Sequence, residues 1–340
     1  MRQTPNVKGA SRRSREPVVR DRVAILRWTG MGNAADFQSS VRHVLKERGV
    51  KARMRTMGGS IVLAVPEPVG ACSIFEGMPG VAWTAAGYAV AGAGDVARAS
   101  SALAAAYLRR GVRFSVSAEV TGGGMASDLA GAVTSVMLEK VKGARASNEA
   151  AKVRFRAARD GKGGVVGVEV ARGPGGSPMG SEAVACLVSG GRHSSVLAWD
   201  SVLQGLRVNM VHASSGERSL AAAARLYAEL SHRADPRGLS LTVLEGGPVP
   251  ALLSKFAGQC REPMFGGFTV ARPAPASLGA RVESPLYIMP EEAFGAQFAS
   301  LGLKGEEEAT DWGDSAAGSY SERTFGGRTA DVSQVLDGLA

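Results

Sequence analysis

EAVACLVSGGRHSSVLAWDSVLQGL, residues 182–206, sets the architecture of this 340-residue chain. Residues 183–188 form a continuous apolar run of strand length. Ser189-Gly190-Gly191 is a glycine turn, and SSVLAWDSVLQGL opens a helix. LRVNMVHAS, residues 206–214, is a second apolar strand. Strand, glycine turn, helix, strand is a βαβ unit, whose crossover makes the two strands parallel. SLAAAARLYAELSHRA (219–234) adds a helix and LSLTVLEG (239–246) a strand. The pattern predicts an α/β domain over residues 176–300.

The turn in this unit is the candidate site. Ser189, Gly190, Gly191, Arg192, His193, Ser194 and Ser195 lie between a buried strand and a helix N-terminus. Glycines allow close backbone approach, and N–H groups with the helix dipole favour an anion such as phosphate. The three serines add hydroxyl donors. The loop is not a Walker A motif, because it lacks the G-K-[ST] ending. An ordinary turn with a serine cap is the alternative. His212, beside Ser214 and Ser215, falls at a strand end, where open α/β sheets place ligands.

Working outward, GPGGSPMG (173–180) reads as a linker and KVRFRAARDGKGGVVGVEVARG (152–173) as a hairpin around a D-G-K-G-G turn. Lys152, Arg154, Arg156 and Arg159 punctuate its first strand, the first three at period two, and Arg172 closes the second. They form either a solvated sheet face or a phosphate-facing stripe. VRFSVSAEV (112–120) alternates as a strand, with Phe114, Val116 and Ala118 on one face. Helices are predicted over 95–111 and 127–143, and a strand over 80–92. Residues 22–28 read as a strand. Phe37, Val41, Val44 and Leu45 then mark a helix stopped by Gly49, and two more strands follow. This β-α-β-β order is that of a small ferredoxin-like module. The expected organisation is a mobile basic arm (1–20), a ferredoxin-like domain (21–78), an α+β domain (79–175), the α/β domain (176–300) and a weakly ordered tail (301–340).

Charge divides along the same lines. Residues 1–180 carry 27 Lys and Arg against 13 Asp and Glu, whereas residues 181–340 carry 13 against 18. Such asymmetry points the first half toward a polyanion, with a solubilising surface as the alternative. No stretch approaches the ~20 apolar residues of a membrane helix. The basic N-terminus has no apolar core of a signal peptide. Cys72, Cys186 and Cys260 are too far apart for a C-x-x-C zinc site or a disulfide framework. The expectation is a soluble, cytoplasmic protein with no membrane partner and no protein-bound metal.

LVSGGRHSSVLAW resembles the S-G-G-x-D-S loop (PP-loop) of N-type ATP pyrophosphatases. Arg172-Gly173-Pro174-Gly175-Gly176-Ser177-Pro178-Met179-Gly180 resembles the R-G-x-G-G-x-P-x-G junction of the tRNA 4-thiouridine sulfurtransferase (thiamine-biosynthesis) family. There it joins an RNA-binding THUMP domain to the pyrophosphatase domain. FSVSAEVTGGGMASDLAGAV and AILRWTGMGNAADFQSSVRHVL resemble earlier segments of that family. Cys260-Arg261-Glu262-Pro263-Met264 resembles its C-R-R-x-M segment, and Ser277-Leu278-Gly279 its nucleotide-lining S-L-G. The matches run in order over residues 22–295. The chain departs from the family in four places, one of them a segment between Cys260 and Ser277 that is shorter than the family pattern. His193 stands where the loop has Asp, Ala257 where C-x-x-C has its first Cys, and Ala280 where S-L-G-Q has Gln. The residues after this segment are expected to hold no rhodanese-like domain.

The resemblance implies ATP-dependent adenylation of a tRNA uridine oxygen, with Mg²⁺ at the leaving pyrophosphate, and then displacement of AMP by sulfur. ATP would lie over Ser189–Ser195, near His212, Ser277 and Gly279. Cys260 would carry sulfur as a persulfide, and Cys186 would be core. Lys152, Arg154, Arg156, Arg159 and Arg172 would meet tRNA. A sulfur-donor protein or free sulfide is a further implied partner. Two readings stay open: an active sulfurtransferase with a divergent site, and a tRNA-binding protein whose pyrophosphatase domain has decayed.

Overall fold

The computed structural model describes residues 22–214, 216–267, 282–301 and 321–326. The basic arm expected at 1–20 and the positions of Ser277 and Gly279 lie outside the described residues.

The N-terminal half is one eight-stranded sheet with helices on one face. Its elements are β1 (Arg22–Trp28), α1 (Ala34–Glu47), β2 (Arg53–Met57), β3 (Ser60–Ala64), α2 (Pro68–Ile74) and β4 (Val81–Val90). They continue with α3 (Ala93–Tyr107), β5 (Arg113–Val120), α4 (Ala126–Lys140), β6 (Arg145–Ala146), β7 (Val153–Asp160) and β8 (Gly163–Arg172). The strand order is β2-β3-β1-β4-β8-β7-β5-β6. The sequence division at 78/79 falls just before β4, and hydrogen bonding crosses it: β4 pairs antiparallel with both β1 and β8. α2 has no amphipathic signal long enough to read in sequence. Pro68 opens it, and Ala71, Cys72 and Phe75 bury it against β1 and β4.

Alternation along each strand separates two cores. Ala24 and Leu26 pack under α1 and α2, and Phe114, Phe155 and Ala157 pack under α3 and α4. Residues of the opposite parity, among them Val23, Ile25, Ala85 and Val165, form a smaller core on the helix-free face.

The C-terminal half is the expected α/β unit. It contains β9 (Ala183–Leu187), α5 (Arg192–Leu203), β10 (Arg207–Ala213), α6 (Glu217–Arg233), β11 (Leu239–Glu245) and α7 (Val249–Gln259). β12 (Met264–Gly266), β13 (Val282–Glu283), α8 (Glu291–Leu301) and β14 (Ser321–Gly326) follow. The order is β13-β12-β9-β10-β11-β14, all parallel except the last pair. β14 lies within 301–340, expected as a weakly ordered tail. It covers the free edge of β11 antiparallel, from Ser240↔Gly326 to Glu245↔Ser321. α5, α6 and α8 pack on one face of this sheet, and α7 packs on the other.

The junction is a pinned crossing between the halves. Thr29 donates through Oγ1 to the Gly176 carbonyl at 2.8 Å, and Gly80 donates its N–H to Gly175 at 2.8 Å. Gly176 has φ 72°, and a Cβ there would lie 2.3 Å from the Leu203 carbonyl oxygen. That close approach explains the glycine.

Candidate nucleotide and nucleic-acid sites

The chain adds β10 and β11 on one side of β9, then returns to place β12 on the other. The loop after β9 therefore lies at a topological switch point, where open α/β sheets bind ligands. The segment leaving β12 touches it: a Cβ on Gly267 would lie 2.9 Å from the Ser194 nitrogen.

Sequence periodicity places the helix start at Ser194. The structure starts α5 at Arg192, because Ser195 donates its N–H to the Gly191 carbonyl at 3.1 Å. Gly191 is the N-cap in an extended conformation with no side-chain cap. The N–H groups of a first helical turn have no intrahelical acceptor, so α5 opens toward the loop. Gly190 has φ 83°, a region that favours glycine. A Cβ on Gly190 would sit 2.4 Å from Ala222 Cβ of α6.

The serines serve the loop itself. Ser189 N–H donates to Ser194 Oγ at 3.2 Å, and Gly191 N–H donates to Ser189 Oγ at 3.3 Å. Ser194 and Ser195 donate to the Gly191 carbonyl at 3.0 and 2.9 Å. Arg192 and His193 turn toward α8. The His193 ring stacks on Phe294 with centroids 4.7 Å apart. The Arg192 guanidinium lies 5.5 Å from the Phe294 centroid and 5.0 Å from that of Phe298. Sequence reading had no signal for this aromatic backing, because α8 is about a hundred residues away.

His212 is fully buried and donates from Nδ1 to the Val188 carbonyl at 2.8 Å. Burial pushes its pKa below the ordinary imidazole value, so the ring is neutral. It lies beneath the loop and is not exposed to a ligand.

Cys260 is not brought to this loop. It caps the C-terminus of α7 and precedes β12, whose Met264 pairs with Ala185. It therefore lies beyond the end where the parallel strands begin, whereas Ser189–Ser195 follows the end where they finish. Partial burial, reinforced by the Glu262 carboxylate 3.4 Å away, raises the Cys260 pKa, opposite to an activated thiolate. Cys186 is core, as expected: burial pushes its thiol up to about 12, and Ser201 Oγ lies 3.5 Å away. Cys72, on α2, is buried, with its thiol raised to about 11 by burial.

The basic stripe resolves into a cluster around one buried carboxylate. Arg154 and Arg156 share parity with Ala158 on the helix-free face. Glu169, on β8, accepts from Arg156 Nε at 2.9 Å and from a second Arg156 nitrogen. Arg154 and Arg172 approach it at 3.9 and 3.5 Å. Arg156 also lies 4.7 Å over the Trp83 ring. Arg156 thus serves the structure, whereas Arg154 is half-exposed and Arg172 exposed. Lys152 is exposed just before β7. Arg159 is exposed too, but on the opposite parity, so the five cations are not one surface.

No family model and no curated protein sequence matches the chain. Solved structures do. A structure titled PH1313 from Pyrococcus horikoshii Ot3 superposes with TM-score 0.68 at 16% identity, covering 83% of this chain and 100% of that one. A 4-thiouridine synthetase, solved as an RNA complex with bound ATP, superposes with TM-score 0.67 at 15% identity, covering 94% and 95%. This chain shares its fold with both of these proteins. With 94% of this chain covered, the second superposition takes in both the eight-stranded sheet and the parallel sheet. No described helix is long and apolar enough to cross a membrane.

Proposed function

We propose that this chain is an ATP-dependent tRNA-modifying protein that binds nucleotide at Ser189–Ser195 and RNA on its N-terminal half. The observation that carries this reading is the glycine loop at the switch point of the parallel sheet, with the uncapped N-terminus of α5 opening onto it. ATP supplies an electrophilic phosphorus for activating a uridine oxygen. The Gly190 N–H and the N–H groups of the first turn of α5 would hold its phosphates, since the Ser189 and Gly191 N–H groups already donate within the loop. The excess of cations in residues 1–180, and Arg154 and Arg172 around Glu169, support a phosphate-backbone partner.

The donor set does not fit a protein-held Mg²⁺. The loop has no carboxylate, and His193 lies on Phe294. Among the described residues no three His, Cys, Asp or Glu side chains cluster to hold a metal. Sulfur would come from free sulfide or a donor protein, since all three thiols lie away from the loop or inside a core.

A second reading, a tRNA-binding protein with a decayed pyrophosphatase domain, is favoured by one observation, the His193–Phe294 stack at the family's carboxylate position. Pyrophosphate release by the purified chain with tRNA and ATP separates the two. Release that depends on tRNA supports the enzyme. Its absence, with RNA binding retained, supports the second reading. Nucleoside mass spectrometry of tRNA from cells with and without the gene identifies the modified base.

A further inference from the structure

We infer that His212 is a positioning residue that sets the entrance peptide of the nucleotide loop; the inference rests on the reading of Ser189–Ser195 as a nucleotide site. β9 ends at Leu187, and Val188 is the last residue held by the ladder, donating its N–H to Val211 at 2.8 Å. Its carbonyl has no strand partner to accept from. His212, on the neighbouring strand β10, fills that role with Nδ1–H at 2.8 Å.

The Val188 carbonyl and the Ser189 N–H belong to one planar peptide group. The Ser189 N–H donates to Ser194 Oγ at 3.2 Å, and Ser194 Oγ–H donates in turn to the Gly191 carbonyl. His212 and Ser194 therefore grip the two poles of the plane through which the chain enters the loop. Rotation of that plane would change the directions of the next two peptides, at Gly190 and Gly191, where no side chain limits the backbone. Fixing it fixes where their N–H groups point, before any anion arrives.

The imidazole is not there for packing. It is fully buried, and its Nε2 has no hydrogen-bond partner. A buried orphan acceptor is rare and unfavourable, and an aliphatic side chain would avoid it. The Nδ1 bond to Val188 is the only interaction described that requires a donor at this position.

The test compares His212→Asn with His212→Gln in the full chain. Asn carries its amide nitrogen at the δ position and can replace Nδ1–H. Gln carries it one atom further out and cannot. Two quantities are measured: affinity for a fluorescent N-methylanthraniloyl-ATP, and amide hydrogen exchange in residues 188–195. The expected result is that Gln weakens nucleotide binding at least tenfold and accelerates exchange in the loop, while Asn stays within about threefold of wild type in both. Equal effects of Asn and Gln, or no effect of Gln, would overturn the positioning role. If wild type does not bind the nucleotide, the nucleotide reading fails. The exchange comparison still decides whether His212 holds the loop.

Discussion

Gly190→Ala should destabilise the protein by about 2–5 kcal/mol, with no ligand involved. Two terms contribute. The residue has φ 83°, and a left-handed backbone conformation costs a non-glycine residue roughly 1–2 kcal/mol. The new Cβ would lie 2.4 Å from Ala222 Cβ and 3.2 Å from the Ala222 carbonyl carbon, so α6 must shift. Overpacking of this kind costs about 1–3 kcal/mol. A Gly190→Val exchange, the natural probe for phosphate approach, would therefore confound lost binding with lost packing. The assay is urea unfolding of wild type, Gly190→Ala, Ala222→Gly and the double variant. Removing Ala222 Cβ should relieve the overlap but not the φ penalty, giving a coupling of about 1–3 kcal/mol. A Gly190→Ala loss below about 0.5 kcal/mol, or additive losses, would refute the argument that α6 packing requires this glycine.

Four further outcomes are expected. Arg154→Ala and Arg172→Ala should each lower the slope of log affinity for tRNA against log salt by about one and leave stability nearly unchanged. Arg156→Ala should instead cost stability, about 1–3 kcal/mol, by stripping the buried Glu169 of its closest partner. Cys260→Ser should leave ATP binding and tRNA-dependent pyrophosphate release at wild-type levels, and sulfide-supported thiolation should persist; loss of thiolation alone would restore Cys260 as the carrier. The folded-state pKa of His212 is depressed below the unfolded value of 6.5, so the unfolded chain binds a proton first as pH falls. That contribution to stability is complete above pH 6.5 and is lost as pH drops through and below it. Thermal melts between pH 7.5 and 5 should show this slope weakened in His212→Asn.

The sequence determined the pieces whose signal is local. The apolar run 183–188, the glycine turn and the next apolar run required a parallel βαβ unit, because short runs bounded by glycine have few other solutions. The strand-to-helix change at the loop follows from neighbouring residues, and so does the alternation of Phe114, Val116 and Ala118. Contacts between distant segments were a matter for the tertiary structure. Parallel pairing of β12 with β9 sent Cys260 to the far end of the sheet. Pairing of β4 with both β1 and β8 merged two sequence modules into one sheet. Burial of Glu169 drew Arg154, Arg156 and Arg172 around a single charge and left Arg159 on the other side. The strand end carrying His212 reads as a ligand-binding position, and there the tertiary structure buries the ring against the Val188 carbonyl. Each of these depends on which strand lies beside which, and spacing along one chain does not encode that choice.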